Sequence, residues 1–208
     1  GDISYRVDPN DPSGRTIIFK ANTASASSGI GPNLSYEKVG GGSGSIGYVP
    51  DNLTGSSNGV NYYSGEVSYT FSTDGSYKVY YSTCCKISGM QNNNNLDWYV
   101  YTTVNIGSNN SSPITSMPAV AFVQQGLNAT FNIPAVDPDG DTVTYRLATN
   151  ADGFVGSQPL GFSVSSSGQA TFNTVGKTIG HLYNAAVVII DSKGAEILVD
   201  FILEITQQ

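Results

Sequence analysis

Residues 129–148, ATFNIPAVDPDGDTVTYRLA, are the stretch that decides the fold of this chain. Two short runs rich in β-branched and aromatic residues, ATFNIPA and TVTYRLA, flank the acidic segment DPDGD. Runs of this kind, bounded by Asp, Pro and Gly, are typical of β-strands joined by a turn. No apolar stripe of helical period crosses the stretch, so it predicts two strands and an acidic loop.

The same pattern extends along the whole chain. Short runs such as TIIFKA, SYKVYYS and NAAVVIID alternate with turn signals such as DPNDPSG, STDG and DSKG. Many short strands at this spacing predict an all-β chain built from β-sandwiches. The segment 107–118, GSNNSSPITSMP, is polar and carries prolines that resist sheet pairing, so we place a boundary there and expect two domains, 1–109 and 110–208. Two Gly/Ser-rich stretches, 22–33 and 39–47, are expected to be long surface loops of the first domain.

Composition excludes several classes of function. The net charge is −7 and only 12% of residues are charged, without a basic cluster, which argues against binding nucleic acid. No apolar run approaches the roughly 18 residues of a membrane span, so membrane insertion is not expected. No Ser-His-Asp, Cys-His or catalytic metal-ligand arrangement can be assembled, so we do not expect an enzyme.

The second half of the chain resembles a known class of domain. Residues 129–148, 158–172 and 185–205, with a late Asp-x-x-Gly before the last strand, resemble the cadherin-like and bacterial immunoglobulin-like domains of large secreted surface proteins and adhesins. Residues 67–82 are similar to the penultimate hairpin of polycystic-kidney-disease-type and related immunoglobulin-like domains. The resemblance implies two tandem immunoglobulin-like/cadherin-like β-sandwiches in an extracellular or cell-surface protein.

The acidic loops are candidate cation ligands. In an immunoglobulin-like sandwich the loops DPDGD and DSKG of the second domain face the first domain, while DPNDPSG and STDG of the first domain face the second. Crowded carboxylates repel one another unless a cation separates them, and Ca²⁺ accepts six to eight oxygens in flexible geometry. Cadherin-like proteins are similar in placing calcium between successive domains. We therefore expect a Ca²⁺ site at the junction, with candidate ligands Asp8, Asp11, Asp74, Asp137, Asp139, Asp141 and Asp191. The alternative is that these aspartates only cap their own turns.

The two cysteines of the chain, Cys84 and Cys85, are neighbours. A disulfide between them would close a tight ring, because adjacent Cα atoms are closer than in ordinary disulfides. Three alternatives are open: a bonded neighbouring pair in an oxidising compartment, two free thiols, or bonds to other molecules.

The loop that follows the cysteines is a candidate ligand site. We expect residues 86–97, KISGMQNNNNLD, at the end of the first domain that points away from the second. A flat disulfide, amide groups and aromatic rings would suit a glycan or a peptide. The candidate ligand-binding residues are Cys84, Cys85, Asn92, Asn93, Asn94, Asn95, Asp97, Trp98, Tyr62 and Tyr63. Alternatively, Trp98 fills the core, the loop is merely solvated, and the protein is a spacer or a self-associating fibre subunit.

Overall fold

The computed structural model describes residues 1–25, 31–57 and 59–207. The first eight strands are β1 (Asp2–Val7), β2 (Thr16–Ser25), β3 (Asn33–Lys38), β4 (Ser43–Tyr48), β5 (Asn52–Ser57), β6 (Val60–Thr70), β7 (Gly75–Thr83) and β8 (Trp98–Ile106). The remaining strands are β9 (Ile114–Thr115), β10 (Val120–Gln124), β11 (Asn128–Asn132), β12 (Ala135–Val136), β13 (Val143–Leu147), β14 (Phe162–Val164), β15 (Gln169–Asn173), β16 (Leu182–Asp191) and β17 (Glu196–Thr206). A short 3-10 turn lies at Asn150–Asp152. The predicted all-β class is confirmed.

One predicted loop proved to be part of a sheet. Within the Gly/Ser-rich stretch 39–47, only residues 39–42 form a turn, and β4 begins at Ser43 and pairs with β3. The prediction of a long loop there was wrong, because the small residues of β4 lie at a sheet edge, where few side chains are needed for packing. Of the other stretch, residues 26–30 lie outside the described residues, and residues 22–25 continue β2.

Each half of the chain forms a two-layer sandwich. In the first, the sheet β1-β2-β6-β5 shares a core with the strands β8-β7-β3-β4, and Phe19 and Phe71 are fully buried in it. In the second, the strands β13-β16-β17, with β10 running parallel to β17, share a core with the sheet β11-β15-β14 around Phe172 and Phe201. Alternation of apolar and polar residues along most strands directs one face of each sheet into its core.

The two sandwiches join through one continuous sheet. Strand β17 pairs with β8 at Ile197 and Thr102, which gives the strand order β13-β16-β17-β8-β7-β3-β4. Side chains extend this contact: Thr102 Oγ1 donates to the Glu196 carbonyl oxygen at 2.9 Å, and the Glu196 N–H donates to Thr103 Oγ1 at 2.8 Å. The second sandwich therefore lies beside the first along a long seam.

Strands β16 and β17 are buried on both faces. Ala185, Val187 and Ile189 belong to the core of the second sandwich, whereas Ala186 and Val188 pack into the core of the first. A continuous hydrophobic run is what a strand covered on both sides requires. Among the described residues, no helix has the length and hydrophobicity needed to span a membrane.

Candidate functional site

A candidate cation site lies where the loop after β12 meets the loop between β16 and β17. Carboxylate oxygens of Asp137, Asp141 and Asp191 lie within 4.8 Å of one another. Asp137 Oδ1 accepts the backbone N–H groups of Asp139 at 2.9 Å and Asp141 at 3.2 Å. Asp191 Oδ1 accepts two N–H groups of its own turn at 2.9 and 2.8 Å. One oxygen of Asp137 and one of Asp191 therefore fix the loops, and the other oxygen of each remains for another interaction.

Two oxygens at this site, Asp137 Oδ2 and Asn110 Oδ1, are buried with neither a hydrogen-bond partner nor an ion-pair partner among the described residues. Asn110 is 3% exposed, and its Nδ2 donates to Asp191 Oδ2 at 2.7 Å. Burial and neighbouring carboxylates raise the pKa of Asp137, although backbone hydrogen bonds oppose the shift. Asp141 Oδ2 pairs with the half-exposed Lys193 Nζ at 2.8 Å. Buried oxygens without donors are costly, and a set of hard oxygen atoms fits Ca²⁺.

The first domain contributes other groups than those predicted. The carboxylates of Asp8 and Asp11 accept hydrogen bonds within their own loop, and Asp74 Oδ1 pairs with Arg15 Nε at 3.0 Å. Asp8, Asp11 and Asp139 do line one cavity of ≈ 530 Å³, so acidic loops of both domains face each other. Asp8, Asp11 and Asp74 nevertheless lie outside the cluster of Asp137, Asp141 and Asp191. The expectation that they join it was wrong, because nearby donors form hydrogen bonds with these short side chains first.

The segment that connects the two domains, residues 107–118, and strand β1 approach the cluster in place of Asp8, Asp11 and Asp74. The Asp139 Oδ2 atom accepts the N–H of Ser111 at 2.6 Å, which ties the acidic loop to the connecting segment. From β1, the N–H of Tyr5 donates to Ser112 Oγ at 2.8 Å. Burial, and after it the charges of Asp191 and the neighbouring aspartates, raises the pKa of Tyr5, whose hydroxyl has no partner among the described residues. The junction is thus built from the connecting segment and β1.

The loop between β7 and β8, residues 84–97, packs against the second sandwich. Lys86 Nζ donates to Asn184 Oδ1 at 2.8 Å and to the Val155 carbonyl oxygen at 3.0 Å, and lies 3.5 Å from Asp200 Oδ2. The Lys86 residue is only 6% exposed. The prediction that this loop forms the free end of the first domain was wrong, because a buried ammonium needs a carboxylate and acceptors, which the second sandwich supplies.

The asparagine run anchors this loop. Asn92 Nδ2 donates to the carbonyl oxygens of Asn184 at 2.8 Å and Ser157 at 2.9 Å. Asn93 Nδ2 donates to Asn184 Oδ1 at 2.9 Å, and its Oδ1 accepts the Ser157 N–H at 2.8 Å. Asn94 Oδ1 accepts a backbone N–H of the same loop at 2.8 Å. These amides therefore hold the loop in place, which is a structural role that the sequence did not predict, and their expected ligand role stays a prediction.

A cleft opens where this loop, β2 and β17 meet. It has a volume of ≈ 390 Å³ and is bordered by both sandwiches. The bonded pair Cys84–Cys85 lies on its wall and is exposed. Trp98 also lines it, half-buried, with its ring 5.5 Å from that of Tyr81 at 75°. Trp98 packs against the first core and also lines the cleft, and its expected role in binding a ligand stays a prediction.

Charged groups complete the lining of the cleft. Burial raises the pKa of Asp51, and Asp51 Oδ2 has no hydrogen-bond partner among the described residues. Burial lowers the pKa of Lys86 and raises that of Asp200, while the attraction between the two opposes both shifts. Asp97 is exposed and lies outside the lining of the cleft, but its carboxylate is within 4.8 Å of the sulfur atoms of the cysteine pair. The cleft thus combines an aromatic face, a disulfide and carboxylates.

Three other predicted ligand residues lie elsewhere. Tyr62 and Tyr63 are in the middle of the sheet, on β6, where Tyr63 is 9% exposed, and neither lines the cleft. Asn95 is exposed in the loop with a φ of 56°. NYYSGE lies near the start of β6, a strand inside its sheet, so the two tyrosines belong to that sheet and not to the lining of the cleft.

Sequence reasoning missed Asn184 and Asp200, which hold the seam together. Asn184 Nδ2 donates to Asp200 Oδ1 at 2.8 Å, and the two are 1% and 6% exposed. Each is a polar residue inside an otherwise apolar run, LYNAAVVII or ILVDFIL. Buried polar groups need hydrogen-bond partners, so Asn184 and Asp200 were the signal in the sequence that a polar loop packs against β16 and β17.

Comparisons with known proteins match both halves. A family model described as "Integrin beta-like protein A-E, N-terminal" matches residues 1–107, and one described as "Integrin beta-like protein A-E, second Ig-like domain" matches residues 114–208. Integrin beta-like protein A of Dictyostelium discoideum is 33% identical over 159 residues, which cover 68% of this chain and 8% of that protein. Integrin beta-like protein C of the same organism is 29% identical over 208 residues, with 91% and 10% covered.

This chain therefore spans about a tenth of the length of these relatives. Among solved structures, the N-terminal Ig1-2 module of the Drosophila receptor protein tyrosine phosphatase DLAR aligns with a TM-score of 0.34 and 12% identity, covering 93% of this chain and 92% of that one. The family match confirms the expected tandem immunoglobulin-like domains. The Dictyostelium relatives do not support the expected bacterial source or adhesin type.

Proposed function

Because this chain belongs to the integrin beta-like protein A–E family, we propose that it is an extracellular, non-catalytic adhesion module that binds a glycan or peptide in the cleft between its two domains. Proteins with integrin beta-like names and immunoglobulin-like domains suggest interactions at a cell surface. In this proposal, Ca²⁺ at the acidic junction stiffens the pair of domains.

The observation that carries the ligand proposal is the cleft of ≈ 390 Å³ at the seam. Its volume falls within the range of small-ligand sites, and such sites favour domain interfaces. Cys84, Cys85 and Ile87 provide exposed apolar surface, and Trp98 provides an aromatic face. Apolar contact with a few polar groups is what holds a sugar ring or a peptide segment.

Binding is measured on a glycan array and on a peptide array for the parent protein and for two matched variants. We expect a binder on one of the arrays, and we expect Ile87→Ser, inside the cleft, to weaken its binding. Leu160→Ser is the control, because Leu160 is 90% exposed and lies outside the cleft. Equal loss in both variants would contradict a ligand site at the seam. Absence of any binder would favour a structural spacer.

The calcium proposal rests on the two partnerless buried oxygens, Asp137 Oδ2 and Asn110 Oδ1. Asp137, Asp141 and Asp191 would hold the ion, and Asn110 would add a neutral oxygen from the connecting segment. A cation held there would link the acidic loops of the second domain to the segment that joins the domains. Relative motion of the two sandwiches would then be reduced.

Thermal unfolding with calcium and with a chelator tests this site. At a Ca²⁺ concentration of 100 times Kd, the melting temperature should rise by about 5–10 °C, since ligand binding stabilises the folded state. Asp137→Asn should abolish the calcium-dependent increase, whereas Asp74→Asn, on the exposed Arg15 pair, should retain it. A melting temperature indifferent to calcium in the parent protein would refute the site.

A further inference from the structure

We propose that the cleft binds a basic side chain, lysine or arginine, of a partner polypeptide. This rests on the proposed function, because it identifies the chemistry of the ligand at the same cleft. A peptide is favoured over a neutral glycan as the ligand because of the charged groups and aromatic rings that surround the cavity.

Asp51 carries a negative charge that no cation of the described residues compensates. Asp51 lines the cleft, makes no salt bridge among the described residues, and has one carboxylate oxygen without a hydrogen-bond partner there. Burial is the cause of its raised pKa, with no positive neighbour opposing the shift. Residues 26–30 have the sequence ASSGI, which contains no cationic side chain. A partly desolvated carboxylate of this kind gains most from an external cation.

The lysine at the cleft, Lys86, is already bonded to other groups. Lys86 Nζ donates to Asn184 Oδ1 and to the Val155 carbonyl oxygen and lies over the Phe154 ring at 4.4 Å. It also lies 3.5 Å from Asp200 Oδ2 and forms no bond to Asp51. Lys86 therefore balances the charge of Asp200 and leaves the Asp51 side of the cleft negative.

The wall of the cleft has a shape and chemistry that suit a basic side chain. A lysine or arginine side chain has an apolar stem and a charged end. The disulfide of Cys84–Cys85 and the side chain of Ile87 offer apolar contact to the stem. The Trp98 ring can attract the charged end through its electron-rich face. Asp97, beside the sulfurs, adds a second negative charge near the cysteine pair.

An anionic ligand fits this wall poorly, because Asp51 would repel it and Lys86 is not free to bind it. A neutral sugar would leave the charge of Asp51 without compensation. A cationic group can pair with the carboxylate of Asp51 and contact the ring of Trp98, so the chemistry favours a basic peptide.

The chain has one tryptophan, so Trp98 reports from the cleft without labelling. The probes are the capped pentapeptides acetyl-Gly-Ser-X-Ser-Gly-amide, with lysine, arginine, norleucine or glutamate at X, together with N-acetylglucosamine and galactose. Binding is followed by the indole N–H resonance of Trp98 in NMR spectra. We expect the lysine and arginine peptides to bind about tenfold more tightly than the norleucine peptide, the size of one charge-assisted hydrogen bond.

The matched variants are Asp51→Asn and Asp74→Asn. Asp51→Asn keeps the shape of the side chain and should reduce affinity for the lysine peptide about tenfold, to that of the norleucine peptide. It should fold with an unchanged or higher melting temperature, because Asp51 has no partner to lose among the described residues. Asp74→Asn, outside the cleft, should bind like the parent.

Equal binding of the lysine and norleucine peptides, or unchanged lysine affinity in Asp51→Asn, would overturn the inference. A Trp98 shift with the sugars and none with the basic peptides would also overturn it, while leaving the proposed ligand cleft standing. If none of the peptides or sugars shifts Trp98, the inference fails, and the array experiment then decides the proposed function separately.

Discussion

Replacing Asn184 with alanine should greatly weaken the seam between the two sandwiches. Asn184 donates to Asp200 Oδ1 at 2.8 Å and accepts from Lys86 Nζ at 2.8 Å and from Asn93 Nδ2 at 2.9 Å. Two of these bonds involve ionised partners, which contribute about 1.5–3 kcal/mol each, and the third contributes about 1 kcal/mol. With partial recovery by entering water, we expect the free energy of unfolding to fall by about 4 kcal/mol.

Urea unfolding followed by far-ultraviolet circular dichroism measures this loss. The parent should unfold in one transition, because β16 and β17 pack into both cores, and the variant should have a lower midpoint. The control is Asn132→Ala, on the exposed edge of β11, which should change the stability by less than about 0.5 kcal/mol. A loss below about 1 kcal/mol for Asn184→Ala, or two separate transitions in the parent, would refute the reasoning that a buried polar network couples the domains.

Three further predictions concern the seam and the cysteines. Burial opposes ionisation of Asp152, but hydrogen bonds from an arginine and a threonine outweigh it and lower its pKa to about 2. The stability this carboxylate contributes should be complete above about pH 4 and lost as the pH falls toward 2, so urea midpoints of the parent and Asp152→Asn should converge in acid. Gly156→Ala should lower the free energy of unfolding by about 2 kcal/mol, because φ of Gly156 is 111° and the new Cβ would lie 2.0 Å from the asparagine loop. Gly55→Ala, where the new Cβ would have nothing within 4 Å, should leave the stability measured by calorimetry nearly unchanged. Because Cys84 and Cys85 are bonded, the unreduced protein should be about 2 Da lighter than the dithiol by mass spectrometry, and two alkylatable thiols would contradict this.

Much of the local structure followed from the sequence. Alternation and turn residues are local signals, so they identified the strands around residues 129–148 and the acidic loop between them. The resemblance to immunoglobulin-like domains placed Asp137 and Asp191 at the same end of the second sandwich, because the order of strands in that fold fixes which loops share an end. The position of Trp98 at the start of β8 likewise followed from the alternation after it.

The arrangement of the two sandwiches was decided only by the tertiary structure. The run AAVVII is apolar at every position, and a strand pattern does not say what covers its second face. That face is covered by the first domain, where Lys86 and the asparagine loop meet Asn184 and Asp200. These contacts join residues about 100 positions apart in the sequence. They depend on surfaces of complementary shape and charge, and the local periodicity of a sequence carries no information about such surfaces.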